Sequence, residues 1–193
     1  MTESLTLDPR STALVVIDLQ RGILARETSP HTNTDVLARS VKLVTACRKA
    51  SVQVVLVNVG FSLDGRDRLS QPADSPTPPG KVPPGYSELD PSLGSAENDL
   101  LITKRQWGAF YGTALDQQLR RRGIKTIILC GIATNFGVES TARDAWERNY
   151  DLVFAEDAMA GMAAGAHDFA IKTIFPRLGR IRRTGDILAA LPA

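Results

Sequence analysis

The sequence predicts an α/β protein with a parallel sheet covered by helices on both faces. Three observations carry this. The apolar runs are short, continuous and β-branched rather than alternating, as in strands buried on both sides; Val52–Val59 is the clearest example. Segments with helical spacing of apolar residues stand between those runs. The chain has 193 residues, 43% hydrophobic and 23% charged. That is enough for one well-filled domain, read here as 1–193, and too little for two.

The elements follow in order. Ala13–Ile17 is a short apolar run ending at Asp18. Asp35–Ala50 reads as a helix, because Leu37, Val41, Val44 and Cys47 recur on one face. Val52–Val59 is a buried strand and Leu100–Thr103 a short one. Thr113–Arg122 is helical and stops at Gly123, a normal C-terminal signal. Lys125–Cys130 is the next strand. After it, Gly131–Val138 forms an elbow into a helix running to about Asn149, with Val138, Ala142, Ala145 and Trp146 as its apolar face. Leu152–Ala155 is a strand, His167–Phe175 a helix, Gly179–Arg182 a weak edge strand and Asp186–Leu191 a short closing helix. Right-handed crossovers bring the strand C-termini to one edge, where open α/β sheets bind ligands. Between Gly60 and Asn98 no periodicity holds, and seven of the eleven prolines lie there. A loop that long is functional or disordered, and the prolines favour a stiffened lid or an oligomer contact.

Composition excludes several classes. A net charge of +2 gives no case for nucleic acid, and the arginines around Arg120-Arg121-Arg122 lack aromatic interleaving. No apolar run approaches the roughly 18 residues of a membrane span. The N-terminus lacks the basic and apolar stretches of a signal peptide. Two distant cysteines in apolar patterns, Cys47 and Cys130, fit a reduced cytoplasmic protein.

Three places at strand C-termini could carry chemistry. Asp18 directly follows four apolar strand residues, so it is poorly solvated and wants a cation. Lys104, at the end of Leu100–Thr103, can supply one. The elbow gathers backbone N–H groups at a helix start, and its first helical turn presents Gly137, which has no side chain to attack with. Other candidates are weaker. His31 and His167 are the only histidines and neither has a second ligand at metal spacing in the sequence, so no metal or other cofactor is expected. No Gly-x-Ser-x-Gly elbow, phosphate loop or dinucleotide fingerprint occurs. Cys130 lies inside a strand and reads as a buried, inert thiol.

Taken together, three motifs resemble the isochorismatase-like hydrolases, or cysteine hydrolase superfamily. They are Val16-Ile17-Asp18-Leu19-Gln20, Lys104-Arg105-Gln106-Trp107-Gly108-Ala109-Phe110, and Gly131-Ile132-Ala133-Thr134-Asn135-Phe136-Gly137-Val138-Glu139-Ser140-Thr141-Ala142. The resemblance runs from about Thr12 to Leu191, and its wording is most like the YecD-like branch. It implies a three-layer α/β/α sandwich with a six-stranded parallel sheet in the order 3-2-1-4-5-6. It also implies a catalytic Asp18 and Lys104, a non-proline cis peptide at Ile132–Ala133 within an oxyanion hole, and a homo-oligomer (dimer or tetramer). Around these, Gln20, Trp107, Phe110, Tyr111, Ile132, Ala133, Asn135 and Phe136 are the expected substrate contacts. Two departures stand out. The family's amidases carry a nucleophilic cysteine where this chain has Gly137. The zinc-binding Asp-x-His pattern that some members place after the second strand reads Asn58-Val59-Gly60-Phe61 here.

The favoured function is therefore hydrolysis of a small, carboxylate-bearing molecule without a cysteine nucleophile, with Asp18 as general acid or base and a vinyl ether of the isochorismate type as substrate. Arg66, Arg68 or Lys81 on the proline-rich loop could meet an acidic substrate. The alternatives are a non-catalytic small-molecule binding protein on the same scaffold, or an amidase with Thr134 or Cys130 as substitute nucleophile.

Overall fold

In the computed structural model, residues 5–75 and 82–192 are described; Lys81 lies outside them. Six strands form one parallel sheet: β1 (Thr12–Ile17), β2 (Gln53–Val59), β3 (Leu100–Lys104), β4 (Thr126–Ile132), β5 (Asp151–Ala160) and β6 (Arg180–Arg182), in the order β3-β2-β1-β4-β5-β6. The helices are α1 (Arg21–Leu24), α2 (Asn33–Lys49), α3 (Leu115–Arg121), α4 (Glu139–Glu147), α5 (Ala166–Phe169) and α6 (Thr184–Ala190). This is the order 3-2-1-4-5-6.

The two-residue period of the strands sorts their side chains into two cores. Leu14, Val16, Val54, Leu56, Ile128 and Cys130 face α2 and α6, whose Leu43, Val44, Cys47 and Ile187 complete that layer. Ala13, Val15, Ile17, Val55, Ile127 and Leu129 face the opposite way, against Leu115 and Leu119 of α3 and Ala142 and Ala145 of α4. Both faces of β1 are fully covered, which is why its sequence shows no alternation. At the heart of the second core, Phe154 stacks on Phe175 with ring centroids 4.1 Å apart.

Several elements differ from the sequence expectation. β5 extends to Ala160, well past Ala155. Glu156 and Asp157 break its apolar run, yet Met159 and Ala160 pair with Gly131 and Ile132 beyond a register shift between the two strands, where residues 155–158 bulge from β5. The helix expected over His167–Phe175 is α5 followed by a π-helical turn (Ala170–Ile174) and a 3-10 turn containing Pro176. The elbow enters α4 through a π-helical turn over Thr134–Val138. Trp146, assigned to the apolar face of α4, is 53% exposed instead. It lines a surface cavity of about 520 Å³ with Tyr150, Leu152 and Leu178, where β5 begins and away from the strand C-termini. Among the described residues no helix is long and apolar enough to cross a membrane.

Candidate active site

Asp18 sits one residue past β1 with φ of 53°, in the left-handed region, which aspartate tolerates at about 1 kcal/mol. Its backbone N–H still donates to Val57 O at 2.9 Å, so the turn is held at the sheet edge. Lys104 ends β3, two strands away, and its side chain is almost wholly enclosed. Its Nζ donates to Asp18 Oδ2 at 2.7 Å and to Trp107 O at 2.7 Å. Asp18 Oδ1 is buried without a hydrogen-bond partner. Burial pushes the Asp18 carboxyl up to about 6, against the charge and hydrogen bond of Lys104, which pull it down.

Gly137 closes this group. A Cβ built there would lie 3.0 Å from Ile17 Cγ2, 3.1 Å from Asp18 Oδ2 and 3.4 Å from Lys104 Nζ. Any side chain at 137 would therefore point at the ion pair. Position 137 is fixed from behind: Thr141 Oγ1 donates to Gly137 O at 2.6 Å and accepts from Ala109 N at 3.1 Å. That hydroxyl ties the elbow to the segment after Lys104. Gly131, with φ of 115°, allows β4 to approach β1; a Cβ there would fall 2.1 Å from Ile17 O. The peptide bond between Ile132 and Ala133 is cis.

Other expected contacts divide. Trp107 and Phe136 are exposed and pack on each other, with ring centroids 4.9 Å apart beside the Lys104–Trp107 contact. Tyr111 is 77% exposed. Ile132 and Ala133 bury their side chains in the core. Asn135 Oδ1 is buried without a partner and faces Gly161. Two expectations are corrected. Phe110 does not line an open pocket: it is buried in the core, with Tyr150 beside its ring and Arg148 over it. Gln20 is a brace rather than a ligand-binding group. Its Nε2 donates to Val59 O and Tyr86 O, each at 2.9 Å, and its Oε1 accepts from Val59 N at 2.7 Å.

The brace explains the long loop. Leu89 pairs with Gln20, and Tyr86 O also accepts from Gly22 N at 3.0 Å, so residues 86–90 fold back over the strand ends. Tyr86 lies against Gly22, where any Cβ would collide with the ring. Burial raises the Tyr86 hydroxyl, with Arg26, Asp18 and Arg68 also acting on it. The position of Tyr86 is not legible in the sequence, since an aperiodic loop gives no hint of what it faces. Arg105 pairs with Asp67 at 2.7 Å and anchors the earlier part of the loop; Arg66 is exposed.

The substitute nucleophiles lie elsewhere in the elbow region. Cys130 is fully enclosed, and burial pushes its thiol up to about 12. Thr134 Oγ1 is 2.9 Å from His167 Nδ1 and equally enclosed. The two histidines, unrelated by sequence spacing, meet edge to face with ring centroids 5.7 Å apart. Glu156 joins them: one potential ligand atom from each of His31, Glu156 and His167 lies within 4.8 Å of the others. Sequence spacing gives neither histidine a second ligand; the fold brings the two histidines and Glu156 together.

Comparison with known proteins agrees with this architecture. A family described as Isochorismatase domain matches residues 12–186. The chain is 50% identical over 187 residues to an uncharacterized isochorismatase family protein, YecD, of Escherichia coli O157:H7, covering 97% of this chain and 100% of that one. It is 31% identical over 179 residues to the ureidoacrylate amidohydrolase RutB of Acinetobacter baylyi, covering 81% and 73%. The structure of an isochorismatase family protein from Burkholderia thailandensis superposes with a TM-score of 0.93 at 44% identity, covering 98% and 99%. The chain belongs to the isochorismatase family of hydrolases.

Proposed function

We propose that this hydrolase acts on a small carboxylate-bearing molecule without a cysteine nucleophile, and that Asp18 is its general acid. One observation carries the reading: a buried carboxyl raised to about 6, with one oxygen free and the other held by Lys104, faces a residue that offers no side chain. Such a group is about half protonated near pH 6 and still about a tenth protonated at pH 7, so it can donate. The favoured chemistry is vinyl-ether hydrolysis of the isochorismate type. Asp18 protonates the terminal enol-ether carbon, giving an oxocarbenium ion. Water adds to that cation, its proton returns to Asp18, and the hemiketal collapses to pyruvate and an alcohol. Lys104 orients Asp18 and attracts a substrate carboxylate. Tyr86, Trp107 and Phe136 border the approach.

Pyruvate release from isochorismate by the purified protein, followed from pH 5 to 8, tests this. The rate should fall as pH rises through about 6, because the acid form is the active one. No release at any pH sinks the substrate assignment. An unchanged rate in Asp18→Ala, on any substrate found, sinks the mechanism.

Amide hydrolysis is the second reading, motivated by the likeness to the amidohydrolase RutB. Thr134 is its nucleophile, because an imidazole 2.9 Å away could take the hydroxyl proton. Hydrolysis of small ureido acids that is lost in Thr134→Val but kept in Asp18→Asn would favour it over the first.

A further inference from the structure

We propose that His31, Glu156 and His167 form a binding site for a divalent transition-metal ion of the zinc class, separate from the Asp18–Lys104–Gly137 group. His31 comes from the loop between α1 and α2, far in sequence from Glu156 in the C-terminal half of β5 and His167 in α5, which follow one another along the chain. Their potential ligand atoms lie within 4.8 Å of one another. Ligands about 2.1 Å from a tetrahedral ion stand about 3.4 Å apart, so the groups must close by at most about 1.4 Å. His31 and Glu156 are only partly buried and have room to turn.

The surroundings are built to hold this arrangement. His167 is buried, and its Nδ1 is 2.9 Å from Thr134 Oγ1. In the tautomer where Nδ1–H donates to that hydroxyl, Nε2 keeps its lone pair for a metal. An outer partner of this kind commonly fixes ligand histidines. The His31 loop is clamped to the end of β5 by a reciprocal pair: Ser29 N donates to Gly161 O at 2.9 Å and Gly161 N to Ser29 O at 2.8 Å. Thr28 Oγ1 donates to His31 O at 2.9 Å, fixing the backbone at the ligand itself.

Two imidazoles and one carboxylate suit zinc and its neighbours rather than magnesium or calcium, which prefer all-oxygen sets. Three protein ligands leave a fourth position for water or a small anion. Arg183 competes for Glu156, with Nε 3.5 Å from Oε1, but its side chain is 68% exposed and can swing into solvent at little cost.

The chain contains only two histidines, and both are in this cluster, so histidine-dependent metal binding reports on this site alone. The test uses full-length, tag-free protein treated with chelator and titrated with Zn²⁺ by calorimetry. Binding of about one equivalent is expected, weakened at least ten-fold in both His31→Ala and Glu156→Gln. Proton resonances of both imidazoles in the wild-type protein should shift with that first equivalent, which needs no variant to fold. Absence of saturable binding, binding undiminished in the two variants, or imidazole resonances that ignore the metal would each overturn the assignment.

Discussion

Replacing Asp18 with asparagine should change how stability depends on pH, by an amount the structure sets. The carboxyl stands at about 6 in the folded protein against an ordinary 3.8, with burial as the main cause. At about 1.36 kcal/mol per pH unit, that rise is worth about 3 kcal/mol. A raised carboxyl binds its proton more tightly when folded, so its contribution is fully present below about pH 3.8 and is lost as pH climbs through about 6. About 2 kcal/mol of the loss falls between pH 4 and 6.5. Asp18→Asn abolishes this titration while keeping the shape. Near pH 4 the wild-type carboxyl is itself protonated, so Lys104 faces a neutral group in both proteins and their stabilities differ little. The diagnostic quantity is the difference between variant and wild type. Across pH 4 to 6.5 it should move by about 2 kcal/mol in the variant's favour. Burial lowers His167, which acts with the opposite sign in the same window, but it is common to both proteins and cancels. Urea unfolding midpoints at half-unit pH steps measure this. A difference that stays constant across the window would refute the raised carboxyl, and with it the acid role of Asp18.

Gly137→Cys places a thiol against Asp18 and Lys104; with its Cβ 3.0 Å from Ile17 Cγ2 it should cost about 1–3 kcal/mol and react rapidly with iodoacetamide. A thiol no more reactive than wild-type Cys47 and Cys130 would mean that position 137 does not face the ion pair. Gly131→Ala should cost about 3 kcal/mol or more, because its Cβ would fall on Ile17 O at a φ that L residues avoid. A melting temperature within a few degrees of wild type would contradict that close approach. Gln20→Leu should lower stability by about 2–4 kcal/mol through the unpaired Val59 and Tyr86 groups, and speed proteolysis of residues 82–90. A change in KM with stability and proteolysis unaltered would return Gln20 to the substrate-binding group.

The frame was legible because it rests on local pattern. Continuous apolar strands mark a sheet buried on both faces, and β1, β2 and β4 meet that condition along their whole inner length. Asp18 and Lys104 could be singled out because a charge at the end of an apolar strand is costly without a partner. The elbow could be singled out because its glycines and polar residues interrupt two regular elements. What failed depended on contacts rather than pattern. β5 continues past Glu156 and Asp157 because pairing with β4 resumes at Met159 and Ala160, while Asp157 is held by Thr184. Phe110 and Trp107 look alike in sequence, yet one packs on Tyr150 and the other faces out.

The sequence by itself determined the layered parallel sheet, the strand ends that carry Asp18, Lys104 and the elbow, and the missing side chain at Gly137. Burial and periodicity are written along the chain, and a glycine is visible as a letter. Only the tertiary structure decided that Lys104 reaches Asp18 past β2, that Tyr86 folds back over the strand ends, that Gln20 is a brace, and that both histidines meet Glu156. Apart from the Glu156–His167 proximity, each of those depends on the distance between residues dozens to more than a hundred positions apart, which the crossovers and the register of the sheet set.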